Sequence, residues 1–305
     1  MLKSNWRIGV IFISLILTMT TLVQAQFIVE QKEYRLPVNY DLLPEDTEFE
    51  DPMDEAKYFL NLSDDELRSG AMEMEESKST MYLDGENFAA EFESEDQGKV
   101  TYIFDAKDKT FYYVIWAQKK VFHMTDEDMK QTQKDADVMK DKMMEGMSPE
   151  MRKQVEEQMK LEAQAKKMKV TATGKKMKKY GFDCSQYVAE SEDELKIIWA
   201  TDDLPGIRKS FEKFAEQMAS IFPSDEEDSQ DEWDLVGGKI PVVVRSMRSG
   251  ITAMGMPEIE ITELTKITQT KPPAEKFIPP SAADGYTHGS MKDMMSQMMQ
   301  MFQEE

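Results

Sequence analysis

"KVTYIFDAKDKTFYYVIWAQKKVFHMT", residues 99–125, is the stretch that decides the fold. Its three runs VTYIF, TFYYVIW and KVFHMT are dense in aromatic and β-branched side chains, which suit a pleated and half-buried surface. DAKDK and AQKK stand between them as short polar turns, so the segment predicts three strands of a meander. Upstream, "STMYLDGENFAAEFES" (79–94) predicts two more strands joined at Asp84-Gly85, a dipeptide suited to positive backbone angles in a tight hairpin. Consecutive hairpins imply an antiparallel sheet.

Downstream the same signal returns. "KVTATGKKMKKYGFDCSQYVAESEDELKIIWATDD" (169–203) reads as strands with turns at Tyr180-Gly181 and ESEDE, and "KIPVVVRSMRS" (239–249) and "EIEITELTKIT" (258–268) add two more, about nine strands in all. Between the two β regions, residues 126–168 change period: Met129, Ala136, Met139, Met143 and Met147, then Met151, Val155 and Met159, recur at helical spacing. Ser148 can cap the second helix and Pro149 occupy its first turn, giving a helical hairpin inserted into a β protein. Residues 205–222 form another helix, with Phe211, Phe214, Met218 and Ile221 along one side. Helices grouped in this way, rather than alternating with strands, predict an α+β fold: a curved antiparallel β-sheet with amphipathic helical insertions and a C-terminal amphipathic helix.

The ends of the chain carry their own signals. Lys3 and Arg7 precede an apolar run from Ile8 to Leu17, with small or neutral residues at Val23 and Ala25. That is the pattern of a secretory signal peptide cleaved after Ala25, so residues 1–25 are expected to be removed and the mature protein to lie outside the cytoplasm. The run is too short for a permanent span of about 20 residues, leaving no stable membrane span after cleavage. Residues 26–77 are acidic and interrupted by Pro37, Pro44 and Pro52, and read as an N-terminal extension with short helices, packed loosely on the rest. Net charge is −22, two units more negative without Lys3 and Arg7, which excludes nucleic acid and anionic membrane surfaces as partners. Cys184 is the single cysteine, so the chain has no internal disulfide, and its strand-like surroundings read as a buried structural position.

Enzyme chemistry finds little support. Only His123 and His288 are present, neither beside a nucleophile elbow, and no phosphate-cradling glycine pattern occurs, so the expectation is no enzyme and no cofactor. The acidic run "SDEEDSQDEWD" (224–234) offers oxygen ligands but lacks the spacing of a calcium loop and reads as a solvated loop. The closing "MKDMMSQMMQMF" (291–302) has six methionines in twelve residues. Thioethers bind Cu(I), but on a helix all six methionines and Phe302 fall within roughly 160° of the circumference, with the polar residues opposite. One-sidedness of that kind describes an apolar face, started by a Ser290–Asp293 capping pair, rather than a metal site.

The order of "MYLDGENFAAEFE", "TYIFDAKDKTFYYV", "YGFDCSQYVAE", "IIWATDDLPG", "IEITELTKI" and "FIPPSAADGY" resembles a family of secreted bacterial proteins, domain of unknown function 4412, itself similar in fold to the outer-membrane lipoprotein carriers. The resemblance covers residues 78–286, through Gly181, Cys184, Tyr187, Trp199, Pro279 and Gly285-Tyr286. The hairpin 126–168, the helix 205–222 and SAAD before Gly285 depart from the family's pattern. It implies a half-barrel, carrier-like sheet wrapped over helices around an apolar cavity. A domain over 78–286, a Met-rich helix over 287–305 and a hydrophobic-ligand surface formed by Met139, Met143, Met159, Trp199, Met294, Met298 and Phe302 are then the expectations. The ligand would be a lipid, acyl chain or lipoprotein. The competing expectation is a structural or protein-interaction module of the cell envelope whose own helices fill that space, and copper handling ranks below both.

Overall fold

The computed structural model describes residues 26–43, 47, 49, 51–70, 74–94, 98–128, 130, 131, 134, 138, 148, 151, 167–202, 206–211, 232–248 and 257–293. Among them, twelve strands make one curved, unclosed sheet. In chain order they are β1 (Gln26–Pro37), β2 (Glu75–Asp84), β3 (Asn87–Ser94), β4 (Gly98–Asp105), β5 (Thr110–Ile115), β6 (Lys120–Thr125), β7 (Lys169–Lys179), β8 (Phe182–Glu190), β9 (Glu194–Thr201), β10 (Ile240–Arg248), β11 (Glu258–Thr268) and β12 (Thr287–Ser290). The spatial order is β12-β6-β5-β4-β3-β2-β1-β11-β10-β9-β8-β7. Two five-strand meanders, β2–β6 and β7–β11, therefore lie on either side of β1. Every described pairing is antiparallel except β12 on β6.

The placement of β1 corrects the expectation of a loosely packed extension over residues 26–77. Gln26 to Arg35 pair with Asp84 to Glu75 on one side, and Ile28 to Pro37 with Thr268 to Glu258 on the other. Phe27, Val29, Tyr34 and Leu36 are buried. The segment reads as polar because Glu30, Lys32, Glu33 and Arg35 are charged, but in the sheet their partners lie across the ladder: Lys32–Glu76 at 3.3 Å, Lys266–Glu30 at 3.0 Å and Arg35–Glu260 at 3.6 Å. Twelve strands replace the expected nine, β1 and β12 being among the additions.

Local chemistry explains the turns. Gly85, at φ +66°, leads the two-residue turn between β2 and β3 that Asp84-Gly85 predicted. Asp105 accepts the backbone N–H of Lys107 at 2.9 Å and so closes the loop that DAKDK predicted. At the β7–β8 turn, Tyr180 (φ +51°) and Gly181 (φ +88°) both take left-handed backbone.

The helices that follow β1 are α1 (Pro52–Leu60) and α2 (Asp64–Gly70). Asp51 caps α1 by accepting from Met53 N–H at 2.8 Å, and Pro52 sits where no hydrogen bond is needed. Ser63 and Glu66 cap α2 reciprocally. Met53, Ala56, Phe59 and Leu60 recur on one side of α1 and are buried in the main core.

Directly opposed residues share a face of a sheet and alternate ones lie on the other. On one face of the β8–β11 half lie Leu195, Ile197, Val243, Met247, Ile259 and Ile261, in the core that α1 and α2 complete. The same face of the other half carries Tyr82, Ala89, Ile103, Val114 and Val121, packed by Phe277 and Tyr286 of the proline-rich segment. Lys276 and Lys99 meet Glu91 there, each at 2.9 Å, and fasten that segment to the sheet. The opposite face of β1–β6 bears Phe27, Val29, Leu83, Phe88, Phe104 and Phe111, with Met291 in the same core.

Helix starts predicted from sequence are present. Thr125 and Asp128 cap a helix beginning at Asp126, Ser148 accepts from Met151 N–H at 3.2 Å, and Ser290 and Asp293 cap one beginning at Met291. Residues 207–211 are helical, and the acidic run ends in α3 (Glu232–Leu235). Cys184 is buried and in no disulfide, its Sγ lying 3.6 Å from the Phe182 carbonyl.

Candidate functional site

A cleft of about 340 Å³ opens on the sheet face that β1, β9, β10 and β11 turn away from α1. Its floor is built by alternation. Val242, Val244, Ser246 and Arg248 come from β10, and Leu264, Thr262 and Glu260 from β11. β1 contributes Val29 and Gln31, and β9 contributes Glu194 and Lys196.

Two helical pieces form the wall. Ile207 is fully buried and anchors the 207–211 helix, which brings Phe211 against Trp233 of α3 with ring centroids 5.1 Å apart. Leu235 and Val236 hold α3 down on Ala189, Ile198 and Ala200. The helix ends with Gly238 N–H bonded to Trp233 C=O at 2.7 Å and Gly237 N–H to Asp234 C=O at 3.1 Å, a Schellman arrangement that needs left-handed residues at this point. A Cβ on Gly238 would meet the Arg208 guanidinium, a flexible end that can move aside, so the left-handed φ of +79° is what favours glycine there.

Charge gathers at one end of the cleft. Lys196 Nζ lies 2.7 Å from Glu232 Oε1 and 3.7 Å from Glu194 Oε1. Burial opposes the Lys196 charge, but Glu232 and Glu194 outweigh it and hold its pKa above the ordinary lysine value. Arg248 lies 3.9 Å from Glu194. The arrangement offers a mixed floor, in which Val29, Val242 and Leu264 are themselves buried, an aromatic wall and a charged end already paired within itself. Among the described residues no group of three or more His, Cys, Asp or Glu could hold a metal ion. A second depression of about 410 Å³, lined by Asp84, Glu86, Asn87, Ala106 and Lys107, lies among turns and has no apolar floor.

Of the residues expected to form a ligand surface, Trp199 is described. It is half-buried in the main core, opposite Val243 and Gln186, and so lies on the α1 side of the sheet, away from the cleft. Met139, Met143, Met159, Met294, Met298 and Phe302 lie outside the described residues. The cleft residues escaped sequence reading because they come from four strands whose order in the sheet no local pattern reveals. Phe211 alone carried a signal, as one of the apolar positions of its helix.

No family model and no curated protein matches the chain. Among solved structures, it is similar to a DUF1329 family protein from Desulfovibrio piger, at 8% identity over 88% of this chain and 95% of that one, with a TM-score of 0.28. It is also similar to PNGF-II, at 10% identity and a TM-score of 0.29, over 87% of this chain but 31% of that one.

Proposed function

We propose that this chain is an exported, non-enzymatic binding protein that takes a hydrophobic ligand, such as a lipid or acyl chain, in the cleft over β1, β9, β10 and β11. The supporting observation is the concave strand surface around Val244 set beneath the Phe211–Trp233 wall. Small-molecule sites span about 300–1,000 Å³, so a cleft of about 340 Å³ suits a small or single-chain ligand. The carrier-like resemblance belongs to the same proposal, since a curved, unclosed sheet with helices against it is the architecture which that resemblance implies. Export rests on the leader pattern of residues 1–25.

The test is mass spectrometry of gently extracted protein, together with fluorescence titration by the neutral apolar dye N-phenylnaphthylamine. A co-purifying lipid and saturable dye binding that Val244→Asp abolishes are expected. Absence of both would refute the reading.

A second reading, an envelope interaction module, draws on the helix that leaves the sheet edge at Met291, whose first residue is buried in the core. Deleting 294–305 keeps β12 and the Ser290–Asp293 cap. On this reading the deletion abolishes partner capture without lowering the unfolding midpoint; an unchanged capture profile removes it.

A further inference from the structure

The cleft occupies one half of its sheet face, and the other half is a ladder of rings. On β4, β5 and β6, Tyr102, Tyr113 and Phe122 stand opposite one another, and Phe104, Phe111 and Met124 form the neighbouring row. Tyr102 stacks on Tyr113 with ring centroids 4.9 Å apart and on Phe111 at 5.7 Å. Phe104, Phe111, Phe122 and Met124 are buried, and Tyr102 and Tyr113 are half-buried. The proline-rich segment packs on the other face of these strands through Phe277 and Tyr286, and α1 packs on β9 and β10. Neither covers the ladder.

The chain's closing segment starts beside that ladder. β12 runs along β6 with Gly289 opposite Phe122, and a helix begins two residues later, fixed by the Ser290–Asp293 cap at 2.8 and 3.1 Å. Met291 is 7% exposed and belongs to the same core as Phe104, Phe111, Phe122 and Met124, while Lys292 and Asp293 are exposed. This first turn sets the rotation of whatever helix follows: the side that carries Met291 faces the sheet. Met294, Met295, Met298, Met299 and Phe302 recur on that side at three- and four-residue steps. A helix from Met291 to Phe302 is about 17 Å long, and β6 and β3 lie about 14 Å apart across the sheet, so the lengths match. The chemistry matches as well, because flexible thioethers pack favourably on the faces and edges of aromatic rings.

We infer that residues 294–302 dock as a helix across the ladder of their own sheet, with Met294 toward Tyr113 on β5 and Met298 toward Tyr102 on β4. The occupant of this face is then the chain's own C-terminal segment, not a second copy or an outside protein. The inference concerns the half of the sheet away from the cleft and stands whether or not the cleft takes a ligand.

Disulfide trapping in the full chain tests this, with Cys184→Ala removing the native thiol. Tyr102→Cys combined with Met298→Cys should cross-link within one chain on oxidation with diamide, read as a faster-migrating monomer on a non-reducing gel. Tyr102→Cys combined with Gln297→Cys, which lies on the polar side of the same helix, should cross-link far less. A cross-linked dimer would assign the face to a second copy, and equal trapping of the two pairs or none would leave it to another occupant; each overturns the inference. Deleting 294–305 gives an independent measurement that needs no engineered cysteine. Uncovering the ladder should raise anilinonaphthalene sulfonate fluorescence severalfold and lower the thermal midpoint by more than about 5 °C. An unchanged dye signal and midpoint in the deletion overturn the inference equally.

Discussion

Glu263 is a carboxylate 1% exposed on β11, where few ions are found without partners. Tyr180 of the β7–β8 turn donates to it at 2.6 Å, Lys179 lies at 3.1 Å and Arg68 of α2 at 3.9 Å. Asp64, at the start of α2, bonds Lys179 at 3.0 Å and Arg245, whose guanidinium also caps the Leu60 and Leu62 carbonyls. Glu263→Ala strands these cations and is expected to lower stability by about 3–5 kcal/mol in denaturant unfolding, against about 2 kcal/mol for Tyr180→Phe. Burial raises the Asp64 pKa, but the hydrogen bond from Lys179 and the Arg245 charge bring it below the ordinary value. The group therefore adds stability above the usual carboxylate range and loses it as pH falls through its lowered pKa. Glu91, held below its usual value against burial by Lys276 and Lys99, has the same sign. Thermal midpoints should stay level from about pH 7 to 5 and fall below about pH 4, and Asp64→Asn should flatten that fall. An acid slope identical in the variant would show that Asp64 is not the titrating group.

At the level of elements, α1 is held by packing. Phe59 is fully buried and touches the rings of Tyr40 and Tyr58 edge-on at 5.9 and 5.4 Å, so Phe59→Ala should cost about 3–5 kcal/mol by chemical denaturation. β1 is bonded on both sides, and Val29→Pro should leave no cooperative unfolding transition by circular dichroism, since proline removes a donor from a central strand. The hairpins were legible in the sequence because Asp84-Gly85 and DAKDK combine turn chemistry with flanking strand residues. Ser148 and Ser290–Asp293 were legible as caps for the same reason: hydroxyl, carboxylate and spacing act within one turn of helix. β1 was not, since its charged positions make sense only against Glu76, Glu260 and Lys266, far away in sequence. The cleft was illegible for a related reason: Val29, Ser246 and Leu264 become neighbours only through the spatial order of strands. Trp199 was singled out as part of a motif, yet its side of β9 is set by the alternation that places Lys196 in the cleft.

Across the whole molecule, the sheet joins two meanders of local hairpins through a single strand, and β1 meets β11 across most of the chain, with Lys266 Nζ bonded to Glu30 Oε1, 236 residues apart. Local pairings close quickly, whereas distant ones wait on a large loss of chain entropy. Substitutions in β11 such as Ile261→Val should therefore speed unfolding and leave refolding nearly unchanged, while Ile103→Val in β4 should slow refolding, as read by stopped-flow fluorescence. Equal effects of the two on refolding would contradict this order. During synthesis, β1 has β2 available long before β11 exists, so for that interval one side of β1 is an open edge able to template aggregation. Glu30, Lys32, Glu33 and Arg35 then act as gatekeepers: the charges that disguise β1 in the sequence protect the nascent chain until β11 arrives to cover it.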